Sequence, residues 1–311
     1  MNKISVIIPT KDRPVQLERL LVSIDKANDH FDELIVVDQS EDHGVLERNR
    51  CNISAMVGRH VVFREKGVSK ARNKGVEESK GNILIFADDD FVVTSGWISR
   101  LVPNLLEHQY VMCVTGRILS YRRDHLSKLY EETMSFDRGN KKRVFSRKDI
   151  NLSKLLRLVV HIGNKRLFER TPVPWGVGYG FYSFRRRIFD EIGDFDIKLG
   201  RGAQYIGGED PDILYRILKR GYRIIYEPHA VVYHNHRQTF EDLLKSAYMS
   251  GISIKALTTK YLNDAYMLLC FFGAFLLYVF SLVKASLRLN HEMRKLIAME
   301  LKGFLTVRKY R

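Results

Sequence analysis

Asn82-Ile83-Leu84-Ile85-Phe86-Ala87-Asp88-Asp89-Asp90 carries five apolar residues directly into three adjacent carboxylates. A short, continuously apolar run of this kind reads as a strand buried on both faces, with the acids delivered at its carboxyl end. Working outward, Ile4-Ser5-Val6-Ile7-Ile8 is a similar strand broken at Pro9, and Glu33-Leu34-Ile35-Val36-Val37-Asp38 is another, ending in a carboxylate. Between them Leu17, Leu20, Leu21 and Ile24 fall at i, i+3, i+4 and i+7, the spacing of an amphipathic helix. His60 to Arg64 adds a short strand, and Ser69 to Ser79 a helix closed by Gly81. Alternation of this kind predicts an α/β domain with a mostly parallel sheet covered on both faces. Such sheets bind ligands beyond the carboxyl ends of their strands, where Pro9-Thr10, Asp38 and Asp88 to Asp90 all fall.

Further along, Val111 to Ile118 reads as a strand, and helices are expected around Leu126 to Met134 and Leu152 to Ile162. Pro174-Trp175-Gly176-Val177-Gly178-Tyr179-Gly180 is a glycine-rich turn leading into Phe181-Tyr182-Ser183-Phe184. Pro211 to Arg220 is a helix stopped by Gly221, followed by two short strands, Arg223 to Tyr226 and Ala230 to Tyr233.

At 311 residues, 45% hydrophobic and 28% charged, the chain can bury a full core and is not of disordered composition. Three widely spaced cysteines, Cys51, Cys113 and Cys270, form neither a metal-ligand pattern nor a disulfide framework, which suits a reducing compartment. No signal peptide is visible, so the N-terminus is expected on the cytoplasmic side. The net charge of +15 is concentrated in two stretches. Arg117 to Arg170 holds 15 Lys/Arg against 6 Asp/Glu, and Glu241 to Arg311 holds 11 against 5. An excess so confined suggests an anionic membrane surface or an anionic acceptor; charge alone does not exclude RNA or DNA, and it is the acidic strand ends that make a nucleic-acid partner unexpected. Ala265 to Val283 is a run of 19 residues without a formal charge, about the length that crosses a bilayer. The basic tail beyond it favours the cytoplasmic side, so a helix in the interface, or a hairpin whose second arm is the amphipathic Leu296 to Val307, reconciles the two. A buried core helix or an oligomer contact is the competing reading.

Asp88-Asp89-Asp90 offers hard oxygen ligands suited to Mg²⁺ or Mn²⁺, and adjacent carboxylates repel one another without a cation; an acidic capping turn is the alternative. Asp38 reads equally as a turn residue or as an acceptor for a base or ribose. Thr10 and Arg13 can contact a nucleoside and its phosphates, or belong to the helix start that Asp12 and Pro14 favour. Arg72 and Asn73 carry the same ambiguity. Asp210 precedes Pro211 and is expected at a helix N-cap, a position that also fixes a general base at the mouth of a cleft beside Glu209. His234 and His236 alternate, so in a strand both imidazoles point to one side, toward a metal or phosphate.

Six segments in order carry a family resemblance. They are Ser5-Val6-Ile7-Ile8-Pro9-Thr10, Glu33 to Asp38, Ala71-Arg72-Asn73-Lys74-Gly75, Ile85 to Asp90, Ser183-Phe184-Arg185-Arg186 to Gly193-Asp194-Phe195-Asp196, and Gly208-Glu209-Asp210-Pro211-Asp212. Together they resemble glycosyltransferase family 2, over about three quarters of the chain. The resemblance implies a Rossmann-like nucleotide-diphospho-sugar transferase fold and an inverting, divalent-metal-dependent transfer from a nucleotide sugar, UDP-linked by expectation. It implies that Pro9, Thr10, Arg13, Asp38, Arg72 and Asp88 hold the nucleotide, that Asp90, Asp88 and His234 serve the metal, and that Asp210 is the base with Glu209 assisting. Trp175 and Gly178 to Gly180 would line the sugar and acceptor cleft. Residues 1–116 would then be the nucleotide-sugar half and 117–240 the acceptor half of one catalytic domain, with 241–311 a helical, membrane-associated tail. The polymerising members' Gln-x-x-Arg-Trp motif is not found, which points to single-sugar transfer onto a glycan or lipid-linked acceptor at the cytoplasmic face of the cell membrane, in cell-envelope polysaccharide assembly. Two rivals stand beside this reading. One is a non-catalytic binding or adaptor protein on a nucleotide fold; the other is a nucleotidyltransferase, which should carry a glycine-rich phosphate loop where Pro9 to Pro14 has no glycine.

Overall fold

A computed structural model describes residues 2–134, 136–147, 179–236, 239–268, 272, 290–306 and 310. Strands β1 (Ile4–Thr10), β2 (Glu33–Asp38), β3 (Arg59–Val62) and β4 (Ile83–Phe86) lie side by side in the order β3-β2-β1-β4, all parallel. β1, β2 and β4 are near-continuously apolar for a direct reason, since each feeds a core on either face. Val6, Ile8, Leu34, Val36, Ile83 and Ile85 pack on one side with helices α1 (Pro14–Ala27) and α4 (Trp97–Glu107), while Ile7, Leu84 and Phe86 pack on the other. There they meet α6 (Arg187–Ile192) and α7 (Glu209–Lys219). α3 (Val68–Glu78) covers Ile35 and Val37 through Ala71, and α2 (His43–Ala55) adds Ile53 to the first side.

Beyond β4 the sheet changes sense. β8 (Tyr182–Arg185) runs antiparallel to both β4 and β6 (Val111–Ser120), and β6 runs parallel to β9 (Arg223–His234). β9 also carries β5 (Phe91–Val93) and β7 (Arg143–Ser146), both antiparallel. The expectation of a mostly parallel sheet is therefore corrected: four of the eight pairings are parallel and four antiparallel, and the sheet is mixed. A strand buried on both faces is apolar whichever way its neighbour runs, so composition does not carry its sense. The two strands expected at Arg223 to Tyr226 and Ala230 to Tyr233 are one strand, carried through Pro228.

One pairing decides where the acids go. β5 leaves the acidic triplet immediately and pairs with the end of β9, setting Phe91 opposite His234. Thr10 and Asp38 sit level at the ends of β1 and β2. The strand ends, the triplet and the end of β9 thus border one cleft.

After β9, α8 (Phe240–Lys260) packs along α9 (His291–Thr306), with α5 (His125–Met134) against both. The helix expected as an interfacial arm from Leu296 instead buries Leu296 and Ile297 in the protein, its apolar face taken up by α8 and α5. The helices cross closely at two glycines. A Cβ on Gly251 would lie 1.9 Å from the Glu300 carbonyl oxygen, and one on Gly303 would lie 2.0 Å from that of Tyr248. Among the described residues no helix is long and apolar enough to cross a membrane. Most of Ala265 to Val283, the helix expected at 152–162, Trp175 and Gly178 lie outside the described residues.

The glycine crossing gives a stability prediction. Gly251→Ala forces α8 and α9 apart against backbone that cannot yield, and overpacking of this kind costs about 1–3 kcal/mol. Denaturant unfolding should show that loss; unchanged stability would remove the crossing as a determinant.

Candidate functional site

The site is assembled from three short segments. Asp88, Asp89 and Asp90 follow β4; Glu209 and Asp210 open α7; Arg72 reaches out of α3 between them. Arg72 is fully buried and holds three carboxylates at once. Its Nη1 donates to Asp210 Oδ1 at 2.7 Å and Glu209 Oε1 at 3.1 Å, and its Nη2 donates to Asp88 Oδ1 at 2.9 Å. Its ring neighbours Tyr182 and Phe195 lie under the guanidinium, 5.7 and 5.4 Å away. Arg13 performs the parallel task for the rest of the triplet. Its Nη1 donates to Asp89 Oδ1 at 3.0 Å and Asp90 Oδ2 at 3.1 Å, while the Thr10 hydroxyl donates to Asp89 Oδ2 at 2.8 Å.

Asp210 is not the N-cap that its place before Pro211 suggests. α7 starts two residues earlier, at Glu209, and Gly208, with φ of +92°, occupies the cap. The Asp210 side chain is thereby free of capping and turned into the cleft. Its Oδ1 accepts from Arg72 and from the Tyr182 hydroxyl at 2.6 Å, and its Oδ2 accepts from the Gly180 N–H at 3.0 Å. Gly180 is required twice over: its φ is +63°, and a Cβ there would fall 2.3 Å from Asp88 Oδ2.

The electrostatic balance is unequal. Five carboxylates, Asp88 to Asp90 with Glu209 and Asp210, face the two guanidinium groups that bind them. Burial, with Asp90 beside it, pushes Asp89 up to about 7 against the pull of Arg13. Burial and the neighbouring Asp210 push Glu209 up to about 7 as well. Burial and Asp210 likewise raise Asp88 despite Arg72. Asp90 goes the other way: burial works against its charge, but His234, Arg13 and Arg201 hold it well below the usual carboxylate range. Asp90 is therefore the member of the triplet whose charge its neighbours favour most. His234 Nε2 stands 3.4 Å from Asp90 Oδ1.

Among the described residues no three His, Cys, Asp or Glu side chains form a closed metal cage. What Asp90 and His234 form is an open pair at the edge of an acid-rich cleft. The donor set fits Mg²⁺ or Mn²⁺, which bind through one or two carboxylates and complete their shell with water and phosphate oxygens. Asp38 is placed apart from this cluster. Fully buried, it accepts from the Ser40 N–H and the Asn49 amide and faces His60 Nε2 at 3.0 Å. Pro9 is buried within β1.

Residues 5–192 match the family model described as Glycosyl transferase family 2. The chain belongs to that family. A human relative, polypeptide N-acetylgalactosaminyltransferase 13, is 26% identical over 212 residues, which cover 66% of this chain and 36% of the relative. Glucosyl-dolichyl phosphate glucuronosyltransferase of Haloferax volcanii is 23% identical over 207 residues, covering 65% of this chain and 59% of its own. The chain thus spans between about a third and three fifths of these curated relatives. In fold it is similar to the mannosyltransferase PcManGT from Pyrobaculum calidifontis, solved in complex with GDP-Man and Mn²⁺ (TM-score 0.64, 15% identity, 98% of this chain and 87% of that one).

Within this family-2 chain the sequence motifs located Thr10, Arg13, Arg72, Asp88 to Asp90, Gly180, Glu209, Asp210 and His234, and the fold brings them together. They did not single out Tyr182, whose hydroxyl binds Asp210, or Glu131, which faces His236. Tyr182 reads as one more apolar residue of a buried strand, and nothing local marks its oxygen. Glu131 lies 105 residues from its partner, a separation that no motif records.

The raised Glu209 gives a pH prediction for the metal-free protein. Its folded value of about 7 lies above the ordinary 4.5, so its contribution to stability is complete below pH 4.5 and is lost as pH rises through 7. Glu209→Gln lacks that loss. In EDTA, its Tm should gain on wild type steadily between pH 5 and pH 8; parallel curves would remove the burial argument.

Proposed function

We propose that the protein is an inverting glycosyltransferase that moves a single sugar from a nucleotide-diphosphate donor to a glycan or lipid-linked acceptor, with Asp210 as the base. The observation that carries this reading is the coordination of Asp210. Oδ1 is occupied by two donors, whereas Oδ2 accepts from Gly180 alone among the described residues, which leaves one of its lone pairs for the proton of an acceptor hydroxyl.

In the displacement, the acceptor oxygen forms a bond to the anomeric carbon as the bond from that carbon to the diphosphate breaks, and the hydroxyl proton passes to Asp210 Oδ2. Arg72 and Tyr182 hold the carboxylate in one orientation throughout, so the base loses no time to rotation. Asp90 and His234 are the residues that would hold a divalent cation, with Asp88 beside them. When bound, the cation supplies neutralisation of the charge that accumulates on the departing diphosphate. Arg13, tied to Asp89 and Asp90 at the end of β1, stands where a nucleotide would be received, with Pro9, Thr10 and Asp38 on the same side of the sheet's carboxyl edge. Gly180, against Asp88 and Asp210, belongs to the sugar side of the cleft in this reading.

A membrane-bound acceptor at the cytoplasmic face is supported by the basic excess of Arg117 to Arg170 and of the tail, and by a relative whose name specifies a dolichyl phosphate substrate. The acid-rich site weighs against the non-catalytic alternative, because a scaffold gains nothing from crowding five carboxylates, four of them buried, around two arginines.

Donor identity is open to a direct screen: stabilisation by a panel of UDP- and GDP-sugars with Mn²⁺, followed by transfer assays on the hits. Asp210→Asn should lower transfer by roughly 10²–10⁴-fold while UDP affinity is retained, the range expected for loss of a general base. Asp90→Ala should abolish the Mn²⁺ dependence of donor binding. Wild-type rates in Asp210→Asn would sink the base assignment, and no turnover with any donor would sink the enzyme.

A further inference from the structure

Asp210 and Asp212 stand two residues apart in the first turn of α7, about 200° round the helix, so they face opposite ways. Asp210 turns into the cleft; Asp212 turns toward the C-terminal helices and is fully buried there. Asp212 Oδ2 accepts from Arg216 Nε at 2.9 Å, and the other nitrogens of Arg216 donate to the carbonyls of Ile192, Gly193 and Asp194. Asp212 Oδ1 accepts from the Tyr261 hydroxyl and from Lys260 Nζ, each at 2.6 Å. Lys260, the last residue of α8, also donates to Asp196 Oδ2 at 2.6 Å.

We propose that Lys260 is a positioning residue: as a clamp between Asp196 and Asp212 it makes the C-terminal helices hold Asp210 in place, a use that rests on the reading of Asp210 as the base. An ammonium group carries three donors and joins two carboxylates that would otherwise repel. Both of the carboxylates it joins lead to the ion pair at the centre of the site. Phe195, next to Asp196, exchanges two 2.9 Å bonds with the Asn73 amide and lies under the Arg72 guanidinium at 5.4 Å. Asp212 belongs to the helix that carries Asp210, which the same guanidinium binds. Lys260 thus sets the donor and the acceptor of one hydrogen bond relative to each other.

Further contacts bind the same elements. The Tyr310 hydroxyl donates to Asp196 Oδ2, its backbone N–H donates to Thr259 Oγ1 at 2.9 Å, and its ring stacks on Tyr205 at 5.2 Å. Leu199 and Tyr205 pack with Ile252, Ala256 and Leu257 of α8. Just before the cap of α7, Gly207 has φ of +102° and lies so near α8 that a Cβ would fall 2.4 Å from Ser253 Oγ. The segment from Asp196 to Asp212 is therefore held at both ends and between them by the C-terminal helices, and Lys260 supplies the charge that joins its ends.

The test compares the full chain carrying Lys260→Met with wild type, by amide hydrogen exchange and by turnover of UDP-glucose, UDP-N-acetylglucosamine and GDP-mannose with Mn²⁺, water standing in for the acceptor. The N–H groups of Leu199, Gly200, Tyr205 and Asp212 are hydrogen-bonded within the clamped segment and serve as reporters. They should exchange about tenfold faster or more in the variant, while the amides of β1 and β2 keep their protection. On the donor that turns over, kcat should fall about tenfold to a hundredfold with KM for the donor unchanged, as a misplaced reacting group requires. In an Asp210→Asn background the same change should cause no further loss, because its effect passes through Asp210. Asp196→Asn, which leaves Asp212 paired with Lys260 and Arg216, carries the same test should Lys260→Met fail to fold. Unchanged exchange at the reporters overturns the clamp, and an equal fall in kcat in both backgrounds overturns its action on Asp210. Wild-type turnover by Asp210→Asn fells the base reading instead, and the exchange pattern still decides the clamp.

Discussion

The rest of the site depends on Arg72. A single buried guanidinium binds a carboxylate that follows β4 and two that open α7, segments 121 and more residues apart in sequence and brought together from opposite sides of the cleft. A buried charge survives only if its partners are in place. Arg72 meets that condition three times, and in doing so it fixes the distance between the triplet and Asp210. Its own position is set by α3, which lies on β1 and β2.

The second constraint is electrostatic. Two arginines cannot neutralise five carboxylates, and the protein absorbs part of the imbalance by pushing Asp89 and Glu209 up to about 7. Asp90 is excepted because His234 and Arg13 converge on it. The same crowding that makes the cleft costly without a ligand makes it receptive to positive charge, so the imbalance and the proposed cation chemistry have one origin. The three members of the triplet have different partners: Asp88 is bound by Arg72, Asp89 by Thr10 and Arg13, and Asp90 by Arg13 with His234 beside it.

Much of the N-terminal part of the fold is legible in the chain. β1, β2, β3 and β4, with α1 and α3, lie where apolar runs and helical spacing place them, because each run is driven by burial that the residues themselves encode. The part from β5 onward is less so. β5 is three residues long, and β7 is four residues in a basic stretch; each is a strand because β9 stands beside it. The amphipathic segment at Leu296 reads alike for a membrane interface and for a groove of the protein, and here α8 and α5 supply the groove. Capping chemistry suggested Asp210 as an N-cap, but a glycine at Gly208 takes that place.

By itself the sequence determined that an α/β sheet would carry carboxylates at its strand ends, since hydrophobic periodicity and the acidic triplet are local properties. It also gave the order of the site motifs. Only the tertiary structure decided what each acid does. The antiparallel return of β5 onto β9 sets His234 against Asp90, the entry of Arg72 divides the carboxylates, and Gly180 and Tyr182 orient the Asp210 carboxylate in the cleft. The physical reason is that charge and proton position depend on neighbours in space, and those neighbours lie up to 144 residues away along the chain (Asp90 to His234). The triplet with which the sequence is read is therefore three different groups, separated by the partners that the fold assigns to each.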